Sequence, residues 1–482
     1  MKSHSVFLVL VLLSGCTLAP RYTRPAMPVP QNWAATVPND TQVAGVFPCL
    51  TEWRNIFTDP GMQFVIEEAL SGNRDLRAAA LNVERAAAMY RIQRSDLSPA
   101  VGVLATGNRY RIPEKMSDSG KAVTASEYSV NLGILDWEID LFGRIRSLTD
   151  IALHQYLATD STRTAAELSL ISAVASSYLM LAADRELLAL AQSTLTANQS
   201  FYDLILKSSD LGVATDLEVN QALSQVESSR ADVARIEGNL RIDENRLSLL
   251  AGEPIESGSL PEGLKGIQPI RELNPGLSSD VLLNRPDIMA AEHMLIAANA
   301  NIGVARAAFF PRVSLTAAVG TLSPEISSLF KSGTKTFTVA PEIITPIFAG
   351  GALRSNLDAS RLSREMAVAE YEGAIQKAFT EVSNALIEYS TLSNERDAVE
   401  SLVSTLDKSY HLATARYEGG IDSYLQVLVV ERSLYAARQR LVGLRLAEQS
   451  NRVTLFKVLG GERNAEETNL TPNNESETSG QQ

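Results

Sequence analysis

The chain of 482 residues contains one sequence unit twice. Arg74 to Val103, RDLRAAALNVERAAAMYRIQRSDLSPAVGV, aligns with Pro286 to Leu315 at a constant spacing of 212 residues. Farther along, the spacing becomes 208 residues, so that Gly212 aligns with Gly420. Self-similarity of this kind predicts two copies of one structural unit. Any fold assigned to one copy must therefore suit the other.

Each copy contains one very long helical stretch. No proline interrupts Arg144 to Lys207 or Ala352 to Arg416. Residues recur along both stretches in alternating steps of three and four, which is the seam of a coiled coil. The seam comprises Leu170, Val174, Ser177, Leu181, Asp184, Leu188, Ala191, Leu195 and Tyr202, then Ile375, Ala378, Val382, Ala385, Tyr389, Leu392, Arg396, Val399, Val403, Leu406 and Tyr410. At 1.5 Å per residue each helix extends on the order of 95 Å, longer than a globular domain needs.

Shorter helices accompany the long ones. A tight turn and a helix about half as long follow each long helix, at Thr215 to Leu250 and at Ser423 to Leu459. Gly212 and Gly420 allow the positive φ that ends a helix, and Thr215 or Ser423 can cap the next one. Another helix opens each copy, at Met62 to Leu97 and at Asp287 to Phe309. We expect these pieces to stack end to end beside the long helix, which gives a wall of antiparallel helices.

Four strand-like stretches lie between the helices. They are Ala100 to Tyr110, Tyr128 to Phe142, Val313 to Thr321 and Thr336 to Phe348. Apolar residues alternate along two of them, at Tyr128, Val130, Leu132 and Ile134 and at Val313, Leu315, Ala317 and Val319. Each is about as long as a tilted strand that crosses a bilayer, roughly 9–11 residues. Four strands cannot close a barrel, and an open sheet edge is not tolerated in lipid. Several chains must then share one barrel: two would supply eight strands, and three would supply twelve with a water-filled lumen. A small periplasmic β-domain with one solvent-facing side is the alternative.

The N-terminus reads as a secretory signal. Lys2 precedes the apolar run Val6 to Leu13, and the small pair Ser14 and Gly15 precedes Cys16. This pattern matches the bacterial lipoprotein box, so we expect residues 1–15 to be removed and Cys16 to be acylated. An ordinary signal peptide with a chance cysteine is the alternative. The absence of Asp after the cysteine favours sorting to the outer membrane of a Gram-negative cell.

Several function classes find no support. The formal net charge is −13 and no cluster of Lys and Arg occurs, which argues against a nucleic-acid partner. The four histidines, at positions 4, 154, 293 and 411, are scattered without a metalloprotease spacing, and we expect His293 and His411 on a helix surface or seam. No phosphate-binding glycine loop or nucleophile elbow occurs. The sequence therefore predicts no enzyme, no metal site and no cofactor apart from the lipid on Cys16.

Five motifs in order resemble one family, the lipoprotein branch of the TolC-like outer-membrane factors. They are GCTLAPRYTRP, WRNIFTDPGM from Trp53, LDWEIDLFGRIRS from Leu135, LLNRPDIMAAE from Leu282 and ANIGVARAAFFPRVSLT from Ala300. The resemblance covers Cys16 to about Gly461. It implies a mainly α homotrimer with a transmembrane β-barrel of twelve strands, four from each protomer. It also implies an α-barrel of twelve helices through the periplasm, docked on an adaptor protein and an inner-membrane RND-type transporter that exports drugs.

Residues at the two helical turns are the candidate functional residues. The resemblance implies that Tyr417 and Asp422 belong to a closed gate, with Arg416 as a partner and Asp216 and Glu218 as candidates from the first copy. It implies that the turns contact the adaptor through Gly212, Val213, Ala214, Gly420 and Ile421. Asp422 as a solvated loop residue or helix cap is the alternative. Where many relatives have an aspartate downstream, this chain has Val429, with Glu431 nearby, so a second acidic ring there is left open.

The sequence thus divides into five segments. These are a signal peptide (1–15), a lipidated extended segment (16–61), a first repeat (62–270), a second repeat (271–461) and a disordered tail (462–482). The expected function is the outer-membrane exit duct of a tripartite efflux pump. Two alternatives are a duct for type I protein secretion or metal efflux, and a structural lipoprotein that spans the periplasm without a pore.

Overall fold

The computed structural model describes residues 17–33, 52–268, 270–271 and 278–461. Cys16, Cys49, the predicted signal peptide and the predicted disordered tail from residue 462 lie outside the described residues. The chain divides into two compact units. The first contains residues up to Ala26, Ala80–Thr162 and Met289–Gly373, and the second contains Met27–Ala79, Arg163–Ile288 and residues from Ala374. Each unit therefore draws on both sequence copies.

Eight α-helices and four strands follow in chain order within the described residues, apart from short 3-10 turns. They are α1 (Trp53–Ile56), α2 (Pro60–Gly72), α3 (Arg74–Ser95), β1 (Val101–Ile112), β2 (Val123–Glu138), α4 (Arg144–Asp210), α5 (Asp216–Ala251), α6 (Pro286–Ala307), β3 (Arg312–Ser323), β4 (Lys335–Ile344), α7 (Ala352–Glu418) and α8 (Tyr424–Val458). The long helices α4 and α7 have 67 residues each, about 100 Å at 1.5 Å per residue. Helices α4 and α6 are long and apolar enough to cross a membrane, a property that buried core helices share.

The first unit contains a four-stranded antiparallel sheet in the order β1-β2-β3-β4. The strands begin and end within a few residues of the predicted ones, except that β2 starts five residues earlier, at Val123, and ends at Glu138 rather than Phe142. A bulge between Ile134 and Trp137 shifts the register of β2 on β3. Within the described residues, β1 and β4 each pair along one side only, which leaves two open edges.

The second unit contains the coiled-coil part of the helices. The seam positions predicted from the sequence are confirmed there. Every seam residue predicted from the sequence is buried or half-buried in α4 and α7. Charged pairs at the edge of the second hairpin bind α7 to α8, including Asp407 with Arg438 at 2.6 Å and Glu395 with Arg440 at 2.6 Å. The apolar repeat at steps of three and four thus buries one continuous face of each long helix.

The prediction of one helix from Met62 to Leu97 was wrong, because the chain breaks at Asn73. The Asn73 backbone is extended, and its side-chain oxygen caps α3 by accepting from the Leu76 amide at 2.9 Å. Its side-chain nitrogen donates to the Leu250 carbonyl at the same distance. The second copy repeats this contact with another side chain, since Arg285 donates to the Val458 carbonyl at 2.8 Å. Both copies therefore anchor the start of a helix on the end of the hairpin.

Candidate functional site

The turns that close the two hairpins share one backbone. Gly212 has φ 74° and Gly420 has φ 68°, a left-handed conformation that favours glycine. The next amide donates back to the carbonyl five residues earlier in each turn, from Val213 to Ser208 and from Ile421 to Arg416, at 2.8 and 2.9 Å. The predicted role of both glycines as helix terminators is confirmed.

A capping box holds the first turn. Thr215 precedes α5, and its hydroxyl accepts from the Glu218 amide at 3.3 Å while the Glu218 carboxylate accepts from the Thr215 amide at 2.8 Å. Asp216, the other acidic residue of this turn, is exposed. The carboxylate of Glu218 is thus used for helix capping, and the side chain of Asp216 faces solvent.

An ion pair holds the second turn. The Arg416 guanidinium donates twice to the Asp422 carboxylate, from Nε at 2.5 Å and from Nη2 at 3.1 Å. This hydrogen bonding is the main cause that lowers the pKa of Asp422 and raises that of Arg416. The prediction that Ser423 caps the next helix was wrong, since no side-chain hydrogen bond from Ser423 caps α8 in the described part of the chain.

An aromatic cluster joins the two turns. The Tyr424 ring is 1% exposed and packs between Phe201 of α4 and Tyr417 of α7, with ring centroids at 6.0 and 5.8 Å. Ile205 and Ala222 are buried in the same cluster. The pKa of Tyr417 is raised, first by burial and then by the nearby Glu218 carboxylate. The predicted gate residue Tyr417 therefore packs with its ring in the core that holds both hairpins together.

Apolar side chains project from both turns into solvent. Val213 is 80% exposed and its equivalent Ile421 is 66% exposed. Leu217 and its equivalent Leu425 are also exposed. Ala214 differs from the other residues predicted to contact a partner, because it packs against the aromatic cluster. The turns thus present apolar surface in both copies, which is a property of protein-binding sites.

The structure adds a buried carboxyl group to this site. Glu431 lies in α8 and is 8% exposed, and burial raises its pKa to about 7. In the orientation that satisfies both neighbours, the Asn198 amide nitrogen donates to the Glu431 carboxylate and its oxygen accepts from the Ser229 hydroxyl at 2.8 Å. In the sequence, Glu431 lies near a possible second acidic ring and nothing indicates that it is buried. Only the packing of α4, α5 and α8 buries it.

A pair of buried acidic residues lies farther along the first hairpin. Asp184 of α4 is 9% exposed and faces Asp243 of α5, which is 7% exposed. Burial, followed by the hydrogen bond and the charge of Asp243, raises the pKa of Asp184 to about 6. Asp184 was predicted as a seam position, and its burial beside Asp243 makes its carboxyl group harder to ionise than that of an exposed aspartate.

The two faces of the sheet differ in polarity. Residues directly opposite each other on neighbouring strands share a face, and the observed registers therefore sort the side chains. Over most of its length the first face carries apolar residues, which are Val101, Val103, Ala105, Tyr128, Val130, Leu132, Ile134, Val313, Leu315, Ala317, Val319, Phe337, Val339, Pro341 and Ile343. Toward the β1–β2 and β3–β4 loops the same face carries the polar residues Arg109, Arg111, Thr124, Ser126, Thr321, Ser323 and Lys335. The second face carries mainly polar or small residues, including Thr106, Asn108, Ser129, Asn131, Ser314, Thr316, Thr336, Thr338 and Glu342. Much of the apolar face is exposed, as at Phe337 (78%) and Val103 (66%).

The histidines are less scattered than the sequence suggested. His154 and His293 meet with their Nδ1 atoms 3.1 Å apart, and burial, followed by the charge of His293, lowers the pKa of His154 to about 4. His293 is therefore half-buried against another helix rather than on a free surface. Among the described residues, no group of three or more His, Cys, Asp or Glu side chains is close enough to hold a metal ion.

The model of the family described as outer membrane efflux protein matches residues 65–253 and 277–461. The two matches begin 212 residues apart and end 208 residues apart, the spacings of the sequence repeat. The chain belongs to the outer membrane efflux protein family.

Individual relatives agree with this assignment. The antibiotic efflux pump outer membrane protein ArpC of Pseudomonas putida is 42% identical over 452 residues, 93% of each chain. The toluene efflux pump outer membrane protein TtgC, also of Pseudomonas putida, gives the same values. The crystal structure of the open state of the MtrE outer membrane channel of Neisseria gonorrhoeae is 37% identical, with a TM-score of 0.84 over 92% of this chain and 98% of that one.

Family membership confirms three predictions made from the sequence. The fold class, with two duplicated helical hairpins and four strands, is that of outer-membrane efflux channels. The location is the outer membrane of a Gram-negative bacterium, and the function is efflux. The roles of individual residues at the turns stay predictions.

Proposed function

We propose that this outer membrane efflux protein is the passive exit duct of a tripartite pump for drugs, solvents and other small toxic compounds. The observation that carries the proposal is the sheet with one exposed apolar face, one polar face and two open edges. Such a sheet suits a barrel wall with lipid outside and water inside. The relatives named for antibiotic and toluene efflux support small apolar compounds as the cargo.

Three copies would complete the duct. Because lipid cannot satisfy the free backbone groups of an edge strand, β1 of one copy must pair with β4 of the next. Twelve strands then enclose a lumen lined by the polar face. The long hairpins α4–α5 and α7–α8 supply twelve helices for a tunnel through the periplasm, since each hairpin contributes two.

The partners would bind at the turns. The exposed Val213 and Ile421, with the flanking glycines Gly212 and Gly420, offer apolar contacts to the helical hairpins of a periplasmic adaptor. The adaptor would join the duct to an inner-membrane transporter of the RND type, which supplies the driving force. The duct itself performs no chemistry and requires no cofactor in this proposal.

The second turn would hold the gate. Arg416 and Asp422 form a pair at the end of α7, and three-fold assembly would repeat this pair around one constriction. Opening then requires the helices at the turns to move apart, with Tyr417 leaving the aromatic cluster. Cys16 would bear the lipid that fixes the N-terminus to the inner leaflet of the outer membrane.

Conductance across planar bilayers tests the proposal. The purified full-length protein should insert and give discrete, weakly selective current steps whose size indicates a water-filled pore. A strut without a pore would give no current. Deleting the gene should raise susceptibility to drugs and solvents but not to transition metals, whereas sensitivity to metals alone would assign the duct to a metal pump.

A further inference from the structure

An extended N-terminal segment lies along α6 in the first unit. Its contacts follow one direction, from early in the helix to its end. In order along α6 they join Glu292 to Arg24, Asn299 to Pro20 and Arg306 to Leu18, at 2.7, 2.7 and 3.0 Å. The segment is therefore antiparallel to the helix. Followed back toward the N-terminus, it heads for the C-terminal end of α6 at Ala307.

The length of the extended segment matches the length of α6 that it contacts. Glu292 to Arg306 is about 21 Å at 1.5 Å per helical residue, and Arg24 to Leu18 is about 20 Å at 3.3 Å per extended residue. Residue 16, two positions before Leu18, lies within about 7 Å of chain from that point. Chain length alone therefore allows an acyl chain on Cys16 to reach the end of α6.

Close packing fixes this course. A Cβ atom on Gly303 would stand 2.9 Å from the Ala19 Cα atom and 2.7 Å from the Ser147 hydroxyl, so only glycine lets the segment approach. The Thr17 and Ser147 hydroxyls are hydrogen-bonded at 3.2 Å. Ser147 lies in the first turn of α4 and is fully buried. Thr17, the first described residue after Cys16, is therefore held at the start of α4.

A cavity opens beside the last residue of α6, Ala307, and the first residue of α4, Arg144. It has a volume of about 360 Å³ and is lined by the end of α6, the start of α4 and the neighbouring strand ends. Its apolar lining includes Leu141, Ala308, Val313 and a stacked pair, Phe142 and Phe310, with ring centroids 4.8 Å apart. Pockets for small ligands begin at about 300 Å³.

Each charged group that lines the cavity has a partner of opposite charge. The Glu138 carboxylate accepts from Arg144 at 2.7 and 2.8 Å and from Arg312 at 2.7 Å. Asp140 accepts from Arg146 at 3.0 Å. Because these charges already have partners, the surface left for an occupant is aliphatic and aromatic, which suits a hydrocarbon chain.

We propose that this cavity seats an acyl chain carried by Cys16. The inference rests on the lipidation proposed above and adds a defined protein site for one chain, while the remaining chains enter the membrane. The lipid then joins α6, α4 and the sheet at their common corner, rather than acting only as a tether.

Photocrosslinking in the intact outer membrane tests this site. Phe310 is replaced by p-benzoylphenylalanine in the full-length chain, cells are irradiated, and the purified protein is digested with trypsin for mass spectrometry. The expected product joins Phe310 to the acylated peptide of residues 16–21. The matched control carries the same replacement at Phe337, which is aromatic and exposed on the apolar face but outside the cavity, and should not give this product.

The remaining outcomes overturn the inference. A crosslink from Phe310 to a free phospholipid assigns the cavity to membrane lipid, and a crosslink to a peptide of another copy assigns it to the subunit interface. Recovery of the acylated peptide without any crosslink from Phe310 excludes the site but leaves lipidation intact. An N-terminal peptide without acyl groups defeats lipidation itself.

A second variant fills the cavity. Ala308→Phe should lower the crosslink yield severalfold without changing acylation.

Discussion

The two hairpin turns have the same backbone but different side-chain contacts. In the first turn Thr215 and Glu218 cap the following helix, whereas in the second Arg416 and Asp422 form an ion pair across the turn. The residues at the equivalent first-turn positions are Ser208 and Ala214, which cannot form such a pair. Duplication thus kept what the backbone requires, a glycine with positive φ, and let the contacts that stabilise each turn diverge.

In the proposed gate, this difference suits the two turns to separate roles. A capping box is local to one helix end and does not respond to movement of the partner helix. An exposed ion pair can be exchanged for water or for another charge at little free-energy cost. The second turn is therefore the one suited to opening, and the first turn is suited to keeping its shape.

The largest expected difference concerns the first residues of α5 and α8, Asp216 and Tyr424. Tyr424→Ala should lower the free energy of local unfolding at the turns by about 3–5 kcal/mol, because it empties the centre of the aromatic cluster. Asp216→Ala, at the equivalent exposed position, should change it by less than about 0.5 kcal/mol. Hydrogen exchange of the α5 and α8 amides measures both. Equal effects would contradict the packing described, and Tyr424→Phe should behave nearly as wild type.

The burial of Glu431 predicts that the stability of the second hairpin depends on pH. The first hairpin should lack this dependence, because its equivalent residue is Leu223. The pKa of Glu431 is about 7 in the folded state, above its usual value of 4.5. Its contribution to stability is therefore complete below pH 4.5 and is lost as the pH rises through 7, on the order of 3 kcal/mol in all. Glu431→Gln should remove this dependence from hydrogen exchange in α8. An unchanged pH profile in the variant would show that another group is responsible.

The helix caps predict a smaller difference in stability, between the equivalent residues Thr215 and Ser423. Thr215→Ala should destabilise the start of α5 by about 1 kcal/mol, because the capping box is lost. Ser423→Ala should leave the start of α8 almost unchanged. The exchange rates of the amides in each first turn report the two effects. Thr215→Ser, which keeps the hydroxyl, is the control, and a larger effect at Ser423 than at Thr215 would reverse the comparison.

The smallest effect on stability is expected for the ion pair, whose change appears in conductance instead. Asp422→Ala removes the carboxylate that Arg416 binds, so the closed duct should open more often in planar bilayers. Asp216→Ala is the matched control on the first turn and should leave the current unchanged. Because the pKa of Asp422 is lowered, the wild-type pair should persist below the usual carboxyl range and break only in stronger acid. Unchanged conductance in Asp422→Ala would move the gate elsewhere.

The sequence predicted those features that depend on periodicity. Seam positions such as Val174 and Val382 repeat at helical spacing, and the turn glycines follow the repeat, so both long hairpins could be placed within a few residues. Alternation at Tyr128 to Ile134 likewise indicated one apolar strand face. Such patterns are local, and a single stretch of chain contains all the information.

The features that sequence reasoning missed depend on contacts between distant segments. The break at Asn73 follows from the Leu250 carbonyl, 177 residues away, which the side chain binds. The His154–His293 contact and the burial of Glu431 also arise only when separate helices pack. At the site, the Arg416–Asp422 pair was anticipated, but the use of Glu218 as a helix cap was not, although Thr215 and Glu218 have the spacing of a capping box.

The number of chains that share one sheet tests the central claim most directly. In a Cys49→Ser background, Thr106→Cys on the β1 edge can be combined in turn with Thr336→Cys, Thr338→Cys or Ala340→Cys on the β4 edge, all on the polar face. After oxidation in the outer membrane, mass measurement in detergent should reveal a covalent species of three chains for at least one pair. A protein that stays a single chain for every pair, with no larger assembly before denaturation, would contradict the account.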